Sequence, residues 1–111
     1  MIQGIGCDVI AVERFRDKIN DEKFLQKVFT ASERAYLSGR TAETMAGMWA
    51  SKEAVSKALG CGFVGLSYHD IEILHTEAGQ PYVNSSAKLP AKIHISISHE
   101  HHLAMAFAVV E

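Results

Sequence analysis

Two isolated carboxylates and a lysine define the chemistry that this sequence could carry. Asp8 lies in IQGIGCDVI beside glycines 4 and 6, and Glu53 stands four positions before Lys57 in WASKEAVSKALG at 49–60. Two carboxylates completed by water and substrate phosphates are a usual protein contribution to a magnesium site, because this small cation keeps much of its hydration. Lys57 would then offer an ammonium group to phosphate oxygens. Taken alone, Glu53 and Lys57 also have the spacing of an ordinary i,i+4 surface pair worth about 0.3–0.5 kcal/mol.

Other motifs exclude chemistry. HEHH at 99–102 would need a histidine where Leu103 stands to complete the zinc pattern HExxH. His101 and His102 therefore read as solvent-facing turn residues, whereas His99 closes the strand SIS at a sheet end, where polar groups converge. GIG at 4–6 begins like a dinucleotide fingerprint, but position 9 is valine. Cys7 and Cys61 stand far apart without metal-ligand spacing and read as packing residues in a reducing cytosol.

The elements that must hold Asp8 and Glu53 are legible in the pattern. Residues 2–10 alternate as a strand, with Ile5, Cys7 and Val9 on one side and Gly4, Gly6 and Asp8 on the other. From Val12 to Ser38 the pattern is helical in short pieces. Thr30 and Glu33 have capping-box spacing, and Gly39 ends the helix that follows. Thr41 caps a long helix running to about Leu59 and stopping at Gly60. On that helix, at about 100° per residue, Glu53 shares a face with Trp49, Lys57 and Gly60, and Ser56 sits at its edge. The opposite side carries Met48, Val55 and Leu59, the stripe expected of a helix laid on a core. Lys52 projects near this stripe and is expected to run its stem along it.

Strands follow at about 70–75 and 81–84, joined by the turn EAGQ, then a loop over 85–92 limited by Pro90. KIHISIS alternates as a strand, and LAMAFAVV reads as a strand buried on both faces. The fold class is α+β, an antiparallel sheet packed around one long helix. At 111 residues the chain, 1–111, is expected to be a single domain. Its net charge of −2, with no long basic run, argues against nucleic acid as a partner. No apolar run is long enough to span a membrane and no basic segment precedes the first apolar stretch, so no membrane association and a cytoplasmic location are expected.

With these residues in place, GIGCDVIAVERF at 4–15, FTASERAYL at 29–37, WASKEAVSKALG at 49–60 and SISHEHHLAMAFAV at 96–109 resemble the successive motifs of the small trimeric holo-acyl-carrier-protein synthases, one type of 4′-phosphopantetheinyl transferase. The resemblance covers nearly the whole chain in order. It implies transfer of 4′-phosphopantetheine from coenzyme A to a serine of apo acyl carrier protein, with release of adenosine 3′,5′-bisphosphate. It further implies that Asp8 and Glu53 bind Mg2+, that Glu53 and Lys57 are catalytic, and that Lys52, Ser56, Lys57, Gly60, Pro81, Ser98 and His99 line the coenzyme A site. Arg14 would dock the carrier, and a homotrimer would place each site between neighbours. The proton acceptor for the serine stays open among Lys57, a metal-bound water and Glu53 acting through water.

The sequence departs from the family pattern at Met48, where an arginine is usual, and over residues 84–92, which form a shorter segment than expected. Between residues 13 and 30 acidic and basic side chains nearly balance, so attraction to an acidic carrier depends on placement. Two alternatives use the same residues: a magnesium-dependent phosphohydrolase of nucleotide diphosphates, and a nucleotide-binding subunit without turnover.

Overall fold

The first strand buries the side that has the fewest side-chain atoms. In the computed structural model, which describes residues 1–60, 62–89 and 92–111, β1 (Gly4–Ala11) turns Gly4, Gly6, Asp8 and Ile10 inward and leaves Ile5, Cys7 and Val9 exposed. Short helices follow: a 3-10 turn at Val12–Phe15, then α1 (Glu22–Val28) and α2 (Ala31–Leu37). Asp21 accepts the Phe24 N–H to open α1, and Thr30 with Glu33 forms the reciprocal capping box that opens α2. Thr41 caps α3 (Ala42–Ala58). Gly39 and Gly60, at φ +78° and +81°, release the chain from α2 and α3 in a conformation that side chains disfavour.

The rest is β structure. β2 (Ile73–His75) pairs antiparallel with β3 (Pro81–Val83). β4 (Ile93–His99) and β5 (Leu103–Val110) complete an antiparallel sheet of order β1-β5-β4. Its register sets Asp8 opposite Ala106, and Ala106 opposite Ile97.

Helix α3 lies on the inner face of this sheet, and small residues decide how closely. A Cβ on Gly6 would fall 2.2 Å from the carbonyl oxygen of Ala54, and one on Gly4 only 1.9 Å from that of Ala58. Strand and helix thus meet backbone to backbone, which only glycine permits here. Ala104, Ala106 and Ala108 continue the same flat floor under the helix. Around it Val12, Phe29, Met45, Met48, Ile71 and Ile73 are completely buried, each contributing about 1.5–3 kcal/mol relative to an exposed side chain.

The expectation that β5 is buried on both faces is corrected. Ala104, Ala106, Ala108 and Val110 are buried, but Leu103, Met105 and Phe107 are 47%, 47% and 42% exposed. Only one face of the sheet receives α3. On the other, Phe107 pairs with Cys7 and Met105 with Val9, so the exposed residues of both strands form one apolar surface. Cys7 accordingly is not a buried packing residue within the chain. Cys61 and Pro90 lie outside the described residues. Among the described residues no helix is long and apolar enough to cross a membrane.

Candidate active site

The backbone contact at Gly6 carries the last turns of α3 over β1 and so brings together residues far apart in the chain. Lys57 Nζ donates to the Asp8 carboxylate at 3.1 Å and to the Cys7 carbonyl at 2.9 Å. Lys57 remains half exposed while the Asp8 side chain is largely covered. One turn back on the same face, Glu53 accepts a hydrogen bond of 3.1 Å from the Tyr68 hydroxyl. The Tyr68 ring lies 4.9 Å from Trp49 and 4.1 Å from Phe63, centroid to centroid. Burial, then the charge and hydrogen bond of Glu53, then the charge of Asp8 push the Tyr68 phenol up to about 12. Both carboxylates therefore act on one phenol, and the phenol stays a donor.

Asp8 and Lys57 are thus in direct contact, and Glu53 lies one turn back on the same face of α3. Among the described residues no group of three or more His, Cys, Asp or Glu side chains gathers to hold a metal. Two oxygen donors beside an ammonium fit a cation that is completed by water and phosphate, and fit poorly a closed zinc cage.

Lys52 is a correction. It neither reaches solvent along the apolar stripe nor faces a ligand: its side chain and that of Glu33 are both 0% exposed. Its ammonium donates to Glu33 Oε1 at 2.8 Å and to the carbonyls of Tyr68 and Ile71 at 2.7 Å each, which uses all three N–H bonds. Glu33 also accepts the N–H groups of Thr30 and Ile73 at 2.8 Å. Burial pushes the lysine pKa down, and Glu33 opposes the shift. Ser56 departs too: it is 1% exposed, and its hydroxyl turns back to the Glu53 carbonyl at 2.7 Å. Gly60 is exposed at the end of α3.

His99 and Pro81 meet elsewhere. They line a concavity of about 190 Å³ with Thr44, Met48, His75 and Tyr36. Ser98 alternates to the opposite sheet face, in register with Met105, and lies outside it. Positions 44 and 53 are about 180° apart on a helix, so this concavity and the carboxylate pair occupy opposite flanks of α3. Inside it Tyr36 stacks on His75 at 3.8 Å with parallel planes, and the Arg40 guanidinium lies 4.0 Å from the Tyr36 ring centre. The His75 Nδ1 atom is buried without a partner among the described residues. Met48 is fully buried at the wall, and Arg40 is the cation packed nearby.

Arg14 is exposed in the turn after β1, and no ion pair involves it among the described residues. Its neighbour Arg16 bonds to Glu13, Glu43 and the His101 carbonyl instead. Sequence reasoning did not find Tyr68, or the stack of Arg40, Tyr36 and His75. The Tyr68–Glu53 and Tyr36–His75 contacts join distant parts of the chain. Arg40 stands only four residues after Tyr36, but that spacing by itself does not point to His75.

A fold in which one long helix rests on a glycine floor and sets a lysine against a strand carboxylate, one turn beyond a second carboxylate, is that of a phosphopantetheinyl transferase. The chain belongs to the 4′-phosphopantetheinyl transferase superfamily, whose model matches residues 4–109. It is 47% identical to the holo-[acyl-carrier-protein] synthase of Protochlamydia amoebophila, with 98% of each covered. It is 44% identical to that of Clostridium perfringens strain 13, covering all of this chain and 95% of the relative. A crystal structure of the Bacillus anthracis holo-(acyl-carrier-protein) synthase in complex with CoA (3′,5′-ADP) superposes with a TM-score of 0.88 at 36% identity, over all of this chain and 97% of that one. The Helicobacter pylori synthase in complex with coenzyme A gives 0.86 at 31%, over 96% and 99%.

Proposed function

We propose that the whole chain, as one transferase domain in the cytoplasm, moves 4′-phosphopantetheine from coenzyme A to a serine hydroxyl of an apo acyl carrier protein and releases adenosine 3′,5′-bisphosphate. The observation that carries this reading is the convergence of Asp8, Glu53 and Lys57 on one flank of α3 in a member of this superfamily.

The serine oxygen attacks the pantetheine-bearing phosphorus of the coenzyme A diphosphate, and the bond to the nucleotide phosphate breaks. Negative charge grows on the leaving phosphate, so a fixed cation beside it lowers the barrier. Lys57 is such a cation. Held to Asp8 and the Cys7 carbonyl, its ammonium is positioned before substrate arrives, and its half-exposed side chain can turn to a phosphate oxygen. Asp8 and Glu53 would hold Mg2+, which when bound supplies charge neutralisation of the diphosphate. Glu53 acting through a water could take the serine proton.

His99 and Pro81, on the other flank of α3, would contact the nucleotide end of coenzyme A. Each working site then needs two copies of the chain, and the apolar outer face of β1 and β5 is suited to join them in a homotrimer. Arg14, exposed and without an ion pair among the described residues, would meet the acidic carrier. Incubating the protein with coenzyme A, Mg2+ and apo carrier protein tests the reading. The expected result is a carrier heavier by one phosphopantetheine. Nucleotide products formed without carrier would mean a phosphohydrolase, and no turnover would mean a binding subunit; either overturns it.

A further inference from the structure

We propose that Tyr68 is a positioning residue for Glu53, and that the buried pair of Lys52 and Glu33 is what holds Tyr68 in place. The inference rests on the reading of Asp8 and Glu53 as the metal-binding carboxylates. The two are not equally fixed by their own elements. Asp8 has a short side chain, stands on a strand and is tied to Lys57 at 3.1 Å. Glu53 has a longer, more flexible side chain on a half-buried helix face, and its Oε1 has one partner among the described residues, the Tyr68 hydroxyl at 3.1 Å. Its Oε2 has none there and is left for a ligand.

Tyr68 can orient Glu53 only if Tyr68 is itself immobile. Its carbonyl receives the Lys52 ammonium at 2.7 Å, and the same ammonium takes the Ile71 carbonyl at 2.7 Å, so the segment 68–71 is clamped at both ends. Glu33 takes the third N–H of Lys52 and with its other oxygen accepts the Ile73 N–H, extending the clamp into β2. Trp49 and Phe63 confine the ring. Lys52 directly precedes Glu53 on α3. One helix turn therefore holds the backbone of Tyr68 by one residue and receives its hydroxyl on the next. Partners that orient a metal-ligating carboxylate typically change metal affinity or activity by about 10–100-fold when removed.

The test is Tyr68→Phe, which keeps the ring and its stacking and removes only the donor. Mn2+ binding in the presence of coenzyme A, followed by the paramagnetic resonance of free Mn2+, should weaken about tenfold, while the melting temperature stays within a few degrees of wild type. In transfer assays the Mg2+ concentration for half-maximal rate should rise, with kcat recovered at saturating Mg2+. Mn2+ affinity unchanged within about twofold overturns the inference, as does a wild-type protein whose Mn2+ binding is insensitive to Glu53→Gln. Because Mn2+ binding is read without turnover, a wild type that binds Mn2+ through Glu53 but transfers nothing would defeat the transferase reading and leave this one standing.

Discussion

Lys57 and Asp8 stand 3.1 Å apart although 49 residues separate them, and the contact exists because Gly6 lets the last turns of α3 settle onto β1. The lysine and the strand carboxylate are thus poised before any substrate binds. Asp8→Asn and Glu53→Gln each remove charge from this group without changing size. Each variant should lose most transfer activity and keep a wild-type circular dichroism spectrum. Near-normal rates in either one at saturating Mg2+ would contradict the assignment of both as ligands.

Lys52 is expected to matter for stability first. Lys52→Met leaves Glu33 buried and uncompensated, which costs about 3–5 kcal/mol. For a domain of this size the melting temperature should fall by about 10 °C or more. Replacing both partners, in Glu33→Leu with Lys52→Met, should cost less than the two single changes added together, because no charge is then stranded. Strict additivity in thermal or urea unfolding would argue that the two groups are not coupled.

The outer face of the sheet makes assembly testable. Phe107 is 42% exposed beside Met105 and Leu103, and Phe107→Asp should convert a trimer into monomers by analytical ultracentrifugation and remove transfer with it. If each site joins Glu53 of one copy to His99 of a neighbour, co-expressing Glu53→Ala with His99→Ala should restore about a quarter of the sites under random mixing in a closed ring. Activity no higher than the mean of the two parents, or a wild type that sediments as a monomer, would rule out shared sites.

His75 gives the protein an acid-side sensitivity. Burial, and then the nearby charge of Arg40, hold its pKa below the ordinary 6.5. The unfolded chain therefore binds more protons than the folded one between the depressed value and 6.5. Stability is fully present above about 6.5 and declines as pH falls through that interval. His75→Phe preserves a ring against Tyr36 and should flatten the fall in melting temperature between about pH 7 and pH 5. An identical pH profile in the variant would show that His75 carries no proton linkage.

Much of this protein is legible in its sequence alone. Thr30 with Glu33, Thr41, Gly39 and Gly60 mark helix ends through hydrogen bonds and backbone freedom that act within a few residues, so local spacing suffices to read them. Asp8, Glu53 and Lys57 stood out because charged groups beside small residues are unusual on otherwise packed elements. Tertiary structure decided the rest. The strand pattern of residues 4–11 does not say which face packs. That depends on α3 needing a floor without side chains, so Gly4 and Gly6 turn inward and Ile5 and Val9 are left outside. The same holds for Lys52, whose place on the helix suggested a stem running to solvent. It is buried because Glu33, 19 residues earlier, and the carbonyls of Tyr68 and Ile71 satisfy its charge, and partners brought by separate elements leave no trace in local sequence.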